Sequence, residues 1–379
     1  MKKRYLLAPG PTPVPEKVLL TMAQPMFHHR TPQYSKLLSE VEEKLKHVFQ
    51  TRNNIFILVS SGTGAMESAI TNFFSPGDKV ICVRGGKFGE RWGELCKVYN
   101  LNTVFIDIEW GTAVKPEAIE EALKEHPDAK AVLTTHSETS TGVVTDLESI
   151  GKIVARTPAI LITDAVSSLG ALNLETDNWN VDIVVAGSQK GLMIPSGLAF
   201  ISVSEKAWKM VETAKLPKYY FDLRKYYKSL QKWQDPFTGG VNLLVGLKET
   251  LQMIEEEGLQ NVFERHRKLA EACRSGVQAI GLELFAKQPS NVVTAVKVPE
   301  GIDGTAITKK VRDEYGITIA GGQAQLKGKI FRIAHMGYSD RFDMILAISA
   351  IEMVLTELGY NVPLGKGVAA CEEYFLKNW

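Results

Sequence analysis

The sequence predicts an α/β fold, with a large domain built on a mostly parallel sheet and a smaller α+β domain after it. Short apolar segments rich in β-branched residues, typical of buried strands, recur along roughly the first half of the chain. Helical spacing separates several of them, and this alternation is typical of a parallel sheet. At 379 residues the chain is long enough for two domains.

Seven segments are candidate strands of the large domain. They are residues 54–59, 80–84, 103–108, 131–135, 160–163, 183–186 and 199–203. Helices are predicted at residues 33–49, 65–74, 115–124 and 147–156. The helix at 33–49 places six side chains on one face, namely Tyr34, Leu37, Leu38, Val41, Leu45 and Val48. That face is predicted to pack on the core.

The last third of the chain predicts the smaller domain. A long helical segment runs from Val241 past Gly258 toward Gly281. Strands are predicted at residues 292–298 and 330–335, and helices at 305–315 and 341–358. Residues 1 to about 20 are proline-rich and are predicted to be extended. We therefore expect an N-terminal arm at 1–20 that joins the small domain, a large domain at 21–258 and a small domain at 259–379.

Two charged residues follow predicted buried strands. Asp164 ends one apolar segment, and Lys190 comes shortly after another. Because ligands bind at the carboxyl ends of strands in an open parallel sheet, we expect both on the same rim. Each alone has an ordinary explanation, as a turn cap or a solvent-facing lysine. Together they are the pair that pyridoxal 5′-phosphate needs: a lysine for its aldehyde and an acid that keeps its ring nitrogen protonated.

The turn Ser60-Ser61-Gly62-Thr63-Gly64 lies between a predicted strand and a predicted helix. Free backbone N–H groups at a helix start, with hydroxyls alongside, form an anion site. The turn has no lysine, so it is not the phosphate loop of nucleoside triphosphatases. It predicts a phosphate site, although such a turn also serves as a simple helix cap.

Three sequence blocks, in this order, carry a family resemblance. They are Thr135-His136-Ser137-Glu138-Thr139-Ser140-Thr141-Gly142-Val143, Asp164-Ala165-Val166-Ser167-Ser168 and Gly187-Ser188-Gln189-Lys190. With these blocks the chain resembles the class V pyridoxal-phosphate aminotransferases of the alanine–glyoxylate and serine–pyruvate group. The resemblance runs from Pro9-Gly10-Pro11 to the segment after Arg332. It implies fold type I of the pyridoxal-phosphate-dependent transferases, with a seven-stranded, mostly parallel sheet in the large domain.

The resemblance also implies which residues hold the cofactor. Lys190 and Asp164 match the catalytic Schiff-base lysine and the acid on the ring nitrogen. The other implied contacts are Ser61, Gly62, Thr63 and Gln189 at the phosphate, Phe88 and Val166 on the two faces of the ring, and Thr139 at the ring oxygen. The family often has histidine at position 63, and some relatives have tryptophan at 88.

Thr238 matches a residue that reaches the phosphate from the other subunit, so a homodimer with shared active sites is implied. The family often has tyrosine where Asp235 stands, and we assign Asp235 no role. Arg332, in a predicted strand, falls where the family binds the substrate carboxylate. A guanidinium matches a carboxylate with two parallel hydrogen bonds, whereas the alternative is an ordinary strand arginine facing solvent.

The implied reaction moves an amino group from alanine or serine to glyoxylate or pyruvate by a ping-pong mechanism, with Lys190 as general base and then acid. Aspartate as donor remains open and would need a second cation, for which Arg30, Arg84, Arg91 and Arg341 are candidates. A cysteine-desulfurase-like lyase would need a cysteine near residues 320–326, which have none. A nicotinamide-linked oxidoreductase would need a glycine fingerprint that residues 60–64 lack, and a non-catalytic binding protein is a further rival.

Charge and cysteine usage restrict partners and location. The net charge of +1 indicates neither a nucleic-acid nor a membrane partner. No segment approaches the ~20 apolar residues that span a bilayer, and none has signal-peptide character. The cysteines, Cys82, Cys96, Cys273 and Cys371, show neither metal spacing nor disulfide density. We therefore expect buried thiols, no metal site and a cytoplasmic protein.

Overall fold

A computed structural model describes residues 3–379; Met1 and Lys2, the first residues of the predicted arm, lie outside the described residues. The helices are α1 (Glu16–Met22), α2 (Pro32–Phe49), α3 (Gly62–Thr71), α4 (Lys87–Val98), α5 (Pro116–Glu125), α6 (Leu147–Val154), α7 (Glu205–Val211), α8 (Leu223–Leu230), α9 (Val241–Glu257), α10 (Leu259–Ala279), α11 (Gly304–Asp313), α12 (Arg341–Glu357) and α13 (Lys366–Asn378).

The strands are β1 (Tyr5–Leu6), β2 (Ile55–Ser60), β3 (Lys79–Arg84), β4 (Asn102–Asp107), β5 (Ala131–Thr135), β6 (Ser137–Glu138), β7 (Val143–Val144), β8 (Ile160–Asp164), β9 (Ile183–Gly187), β10 (Gly197–Val203), β11 (Val293–Lys297), β12 (Ile317–Thr318), β13 (Ala320–Gly321) and β14 (Ile330–Ala334). A short 3₁₀ helix covers Ala324–Leu326.

Seven strands form the central sheet, in the order β2-β10-β9-β8-β5-β3-β4. Of these seven, β10 alone runs antiparallel to its neighbours, and the other pairs are parallel. Every residue of β5, β8 and β9 is buried, as expected for parallel strands covered on both faces. The predicted α/β fold with a mostly parallel, seven-stranded sheet is confirmed. Since β8 and β9 are parallel neighbours, their carboxyl ends meet at one edge of this sheet.

The helix predicted at 33–49 is present as α2, and all six of its predicted core side chains are buried. Thr31 begins it, because its side chain accepts a hydrogen bond from the Tyr34 N–H at 3.3 Å. Pro32 occupies the first turn, where a missing N–H costs nothing. The apolar face packs toward the sheet and α9, within the largest cluster of the core.

Beyond shifts of a few residues at other ends, three boundaries differ from the sequence prediction in a way that affects the fold. Residues 16–20 were expected to be extended but lie in α1, where Val18 is fully buried against α9. Helix α3 begins at Gly62 rather than at residue 65, so most of the predicted turn forms its first turn. The long segment from Val241 is two helices, because Gly258 has a positive φ of 84° and ends α9 there.

The C-terminal part of the chain forms a second core around the antiparallel strands β11, β14 and β13. The N-terminal arm joins this core, because β1 pairs in parallel with β12 and Leu7 is buried in it. The Leu7 N–H donates to Thr318 O, and Leu7 O accepts from the Ala334 N–H, both at 2.8 Å. These contacts of residues 5–7 support our proposal of an arm at 1–20 that joins a small domain at 259–379, next to a large domain at 21–258, but residues 16–20 pack on α9 of the large domain instead.

The four cysteines are buried with free thiols, as predicted. From residue 3 to residue 379, no helix combines the length and the apolar character needed to cross a bilayer. Over the same range, no three His, Cys, Asp or Glu side chains are grouped so that they could hold a metal ion.

Replacing Leu7 with alanine tests the contribution of the arm. Leu7 is 2% exposed, so its truncation leaves a cavity and should lower the free energy of unfolding by about 2–5 kcal/mol. Urea denaturation of the variant measures this loss. The matched control is Leu376→Ala, whose side chain is 88% exposed and whose removal should cost almost nothing. Equal effects of the two substitutions would mean that the arm does not stabilise the fold.

Candidate active site

Lys190 follows β9 and is buried, with 8% of the residue exposed. Burial lowers the pKa of its amine to about 8, the nearby Asp164 carboxylate opposes this shift, and the cations of Arg332 and Arg91 add to it. The amine therefore loses its proton far more easily than an ordinary lysine does, which suits a nucleophile and a base.

The N-terminal arm covers Lys190. The ammonium Nζ donates a hydrogen bond to the carbonyl oxygen of Pro9. Gly10 approaches so closely that a Cβ at this position would lie 2.3 Å from Lys190 Cε, and its φ of 111° also favours glycine. Thr12 fixes the backbone beneath, because its Oγ1 donates to Lys190 O at 3.0 Å and its N–H donates to Gln189 O at 3.0 Å.

Asp164 is the last residue of β8 and is 3% exposed. Burial raises the pKa of its carboxyl to about 6, and the nearby Glu138 carboxylate adds to the rise. The Val166 N–H donates to Asp164 Oδ1 at 2.8 Å, which partly opposes the shift. The two strand ends thus bring a buried acid and a buried amine within electrostatic reach of each other, as the sequence predicted from their positions.

Ser61, Gly62 and Thr63 form the N-terminal end of α3. Ser61 is the N-cap residue, and its hydroxyl makes no capping bond to the helix, so it is free to contact a ligand. A Cβ on Gly62 would lie 2.5 Å from Val166 Cγ2, so only glycine allows this close packing. The predicted phosphate turn and the residue predicted below the ring are therefore direct neighbours.

Gln189 lies at the same place. Three groups of the predicted site lie around Gly187. A Cβ built on this glycine would be 3.0 Å from Gln189 Oε1, 3.4 Å from Val166 Cγ1 and 3.6 Å from Gly62 N, so Gln189, Val166 and the start of α3 are neighbours. Gln189 Oε1 is buried and, among the residues that the structure describes, has no hydrogen-bond partner. A half-turn of the amide would present its N–H₂ instead, beside the N–H groups of α3, which suits an anion.

Arg332 lies in the middle of β14 and is 5% exposed. Its Nη1 donates to Thr139 O at 2.7 Å, and its Nε and Nη2 donate to Gly321 O at 3.0 and 2.7 Å. A guanidinium carries five N–H donors, so these bonds hold the side chain and leave others for a carboxylate. Burial lowers the pKa of Arg332 to about 10, and the Glu138 carboxylate raises it. The guanidinium is therefore charged at neutral pH.

Phe88 lies in the first turn of α4, a helix that the sequence analysis did not predict. Its N–H donates to the buried carboxylate of Glu138 at 3.0 Å. One turn later, the guanidinium of Arg91 lies 5.0 Å from the centre of the Phe88 ring. Arg91 Nη1 also donates to Thr63 Oγ1 at 3.0 Å, which connects Phe88 to the start of α3.

Thr238 stands apart from this group. It lines a cavity of about 510 Å³ with residues that include Phe27, His28 and His29. In the part of the chain that the structure describes, it makes no hydrogen bond to the residues around Lys190. Its expected role in the site of a second subunit stays a prediction.

Sequence reasoning missed three contributors: Gly10, Arg91 and Glu138. Gly10 was noted within Pro9-Gly10-Pro11, but only its contact with Lys190 reveals why glycine stands there. Arg91 was one of four candidate cations, and nothing in the sequence separates it from the others. Glu138 did carry a signal, since it is a single carboxylate among apolar and hydroxyl residues that follow a buried strand.

The family model of the class V aminotransferases matches residues 4–344. The chain belongs to this family. A protein named soluble hydrogenase, small subunit, from Synechococcus sp. is 47% identical to this class V aminotransferase, over 97% of each chain. The L-aspartate–glyoxylate aminotransferase of Paracoccus denitrificans is 40% identical, over 98% of this chain and 96% of that protein. The serine–glyoxylate aminotransferase of Methylorubrum extorquens is also 40% identical, over 99% and 97%.

Among solved structures, the ureidoglycine–glyoxylate aminotransferase of Bacillus subtilis has a TM-score of 0.94 at 31% identity, over 99% of each chain. This class V aminotransferase is thus a pyridoxal-phosphate-dependent transaminase. The site fits that cofactor: Gln189 Oε1 is buried without a partner in residues 3–379, close to the Gly62 N–H, and the Ser61 hydroxyl makes no capping bond at the start of α3. Lys190 and Asp164 would hold its aldehyde and its ring nitrogen.

Asp164→Asn should stabilise the cofactor-free protein while weakening cofactor binding. The pKa of Asp164 rises from 3.8 to about 6 on folding, so the native state binds more protons and the carboxylate costs stability as pH increases through this window. At pH 8 the buried carboxylate is fully ionised and its destabilising effect is largest. Replacing it with asparagine should there raise the free energy of unfolding by up to about 3 kcal/mol. Below pH 4 the gain should vanish. Urea denaturation at pH 4, 6 and 8 measures it, and a pH-independent difference would contradict this account.

Proposed function

We propose that this class V aminotransferase moves the amino group of alanine or serine to glyoxylate or pyruvate by a ping-pong mechanism. The observation that carries the proposal is the buried pair of Lys190 and Asp164, within electrostatic reach of the Arg332 guanidinium. The relatives named aspartate–glyoxylate and serine–glyoxylate aminotransferase support glyoxylate as the acceptor.

In this mechanism, each half-reaction depends on a few side chains of the chain. The bound cofactor supplies a carbonyl carbon and an electron-accepting ring. Lys190 Nζ removes the proton from the substrate Cα and later returns a proton, and its lowered pKa of about 8 suits both tasks near neutral pH. Asp164 keeps a proton on the ring nitrogen, and Arg332 orients the α-carboxylate with two hydrogen bonds. Phe88 and Val166 would lie on opposite faces of the ring and exclude water.

Substitution of Lys190 tests this proposal. Lys190→Ala should lose roughly 10²–10⁴-fold or more in turnover, because no other amine replaces the base at this position. A matched control is Lys206→Ala, whose Nζ is partly buried and donates to Ala159 O at the other edge of the sheet. Steady-state assays with alanine or serine and glyoxylate or pyruvate measure both variants. Full activity of Lys190→Ala would refute the mechanism.

A second candidate donor is aspartate, and the surroundings of Arg91 favour it. Of the four arginines considered as a second cation, Arg91 is the one that acts on the charges of Lys190 and Asp164. Arg84 pairs with Asp107. Arg30 donates to the backbone of Asp235, and Arg341 lies over Trp379. Arg91 is thus the cation that could bind a side-chain carboxylate beside the amine.

Arg91→Gln separates the two donors. If Arg91 binds the side-chain carboxylate, kcat/KM for aspartate should fall by about 10-fold or more, and kcat/KM for alanine and serine should change little. Arg332→Lys should instead lower kcat/KM for all three, since each has an α-carboxylate. If wild-type enzyme prefers alanine or serine to aspartate and Arg91→Gln treats the three alike, aspartate is not the donor.

Three further points remain proposals. A homodimer with shared sites rests on Thr238, and a fully active monomer in sedimentation experiments would contradict it. A cytoplasmic location rests on cysteine usage.

A desulfurase-like lyase is disfavoured, because residues 320–326 contain no cysteine and burial raises the pKa of all four thiols. Release of sulfide from cysteine would revive that alternative.

A further inference from the structure

Glu138 is a buried carboxyl that the transamination mechanism leaves without a role. It is the last residue of β6, is 5% exposed and directly precedes Thr139. A buried carboxyl is costly unless several hydrogen bonds compensate it. Its partners therefore indicate what the residue does.

The Glu138 side chain caps α4 from a distant part of the chain. Its Oε2 accepts the N–H groups of Phe88 and Gly89, both at 3.0 Å. Its Oε1 accepts the N–H and the hydroxyl of Ser140, and that hydroxyl in turn accepts the Lys87 N–H at 2.9 Å. The first three N–H groups of the helix are thus satisfied by residues about 50 positions away, and an anion at this end is favoured by the helix dipole.

The backbone of Gly86 makes this approach possible. Gly86 is the N-cap residue of α4 and provides no side-chain cap. A Cβ at this position would lie 2.4 Å from Glu138 Cγ and Cδ. Glycine at the N-cap position offers no side-chain cap, but its lack of a Cβ leaves the space in which the Glu138 carboxylate caps the helix.

When ionised, Glu138 also acts on two residues of the site; burial raises the pKa of its own carboxyl, and the hydrogen bonds from Ser140, Gly89 and Phe88 oppose that rise. The ionised carboxylate favours the charged form of Arg332, whose guanidinium is nearly buried, and it disfavours ionisation of Asp164. Arg332 in turn donates to the carbonyl oxygen of Thr139, the neighbour of Glu138 in the chain. One carboxylate is thereby connected to the helix that carries Phe88 and to the substrate arginine.

We propose that Glu138 is a positioning residue, which fixes Phe88 through the first turn of α4 and holds in place the adjacent Thr139 carbonyl, to which Arg332 donates. The proposal rests on the proposed roles of Phe88 and Arg332 toward the cofactor and the substrate carboxylate.

Glu138→Gln tests the proposal. Each carboxylate oxygen accepts two donors, so the amide nitrogen must face two of them in either orientation. The dissociation constant of pyridoxal phosphate for the cofactor-free protein should rise about 10-fold, as for the loss of charge-assisted hydrogen bonds. The KM of the amino donor should rise by a similar factor, with a smaller change in kcat. The absorbance spectrum of the bound cofactor should also shift, since Phe88 moves.

Glu352→Gln is the matched control. Glu352 is also buried and accepts the N–H groups of Gly365 and Gly367, at 2.8 and 2.7 Å, at the start of α13 in the C-terminal core. The Glu352→Gln variant should lower the melting temperature about as much as Glu138→Gln does, because each variant weakens a buried helix cap. Its cofactor dissociation constant, KM and spectrum should stay within about twofold of wild type, since α13 carries no residue of the site.

Equal cofactor affinity in Glu138→Gln and wild type would overturn the proposal, and so would equal losses in the two glutamine variants. If Glu138→Gln does not fold, Ser140→Ala replaces it, and an unchanged cofactor dissociation constant in that variant overturns the proposal as well. Cofactor binding is measured without substrate. A wild-type enzyme that fails to transaminate would therefore refute the proposed function, while the binding comparison still decides the role of Glu138.

Discussion

The parallel pairing of β8 with β9 is the constraint on which the site depends. In their register Asp164 lies opposite Val185, so the two strands end at the same edge and Lys190 follows a few residues later. Helices cover both faces of the sheet, and neither charge is fully hydrated there. Burial shifts the two pKa values in opposite directions, down for the amine and up for the acid. The fold itself therefore provides a reactive amine, before any ligand contributes.

The N-terminal arm connects this edge to the C-terminal core. Leu7 accepts a hydrogen bond from Ala334 in β14, the strand that carries Arg332, and Gly10 lies against Lys190 three residues later. Arg332 reaches back to Thr139 O in the large core. The distance between Lys190 and Arg332 is therefore set by the packing of the arm and the C-terminal core together. A change in either element should alter the site without touching a catalytic residue.

Features encoded by local patterns were predictable from the sequence, and features that depend on distant partners were not. Helix α2 and the central strands were predicted because apolar periodicity and β-branched runs mark them directly. Helix α4 was missed, since it begins after two glycines and its cap, Glu138, comes from about 50 residues away. That Lys190 and Asp164 lie at one end of the sheet followed from the strand ends, and the roles proposed for them came from the family resemblance. The proximity of Arg91 required the packing of α4 against α3, which no local pattern reveals.

The buried carboxylates of Glu138, Glu352 and Asp164 serve two different purposes, and their hydrogen bonds distinguish them. Glu138 and Glu352 each accept several backbone N–H groups and are thereby committed to the start of a helix. Across residues 3–379, the Asp164 carboxylate accepts a single hydrogen bond, from the Val166 N–H. A carboxylate has about four acceptor positions, so Asp164 keeps most of its capacity in a site from which water is largely excluded. A cationic N–H donor is the partner that such a carboxylate binds most strongly, which is why the acid at the end of β8, and not the one in β6, is suited to a protonated ring nitrogen.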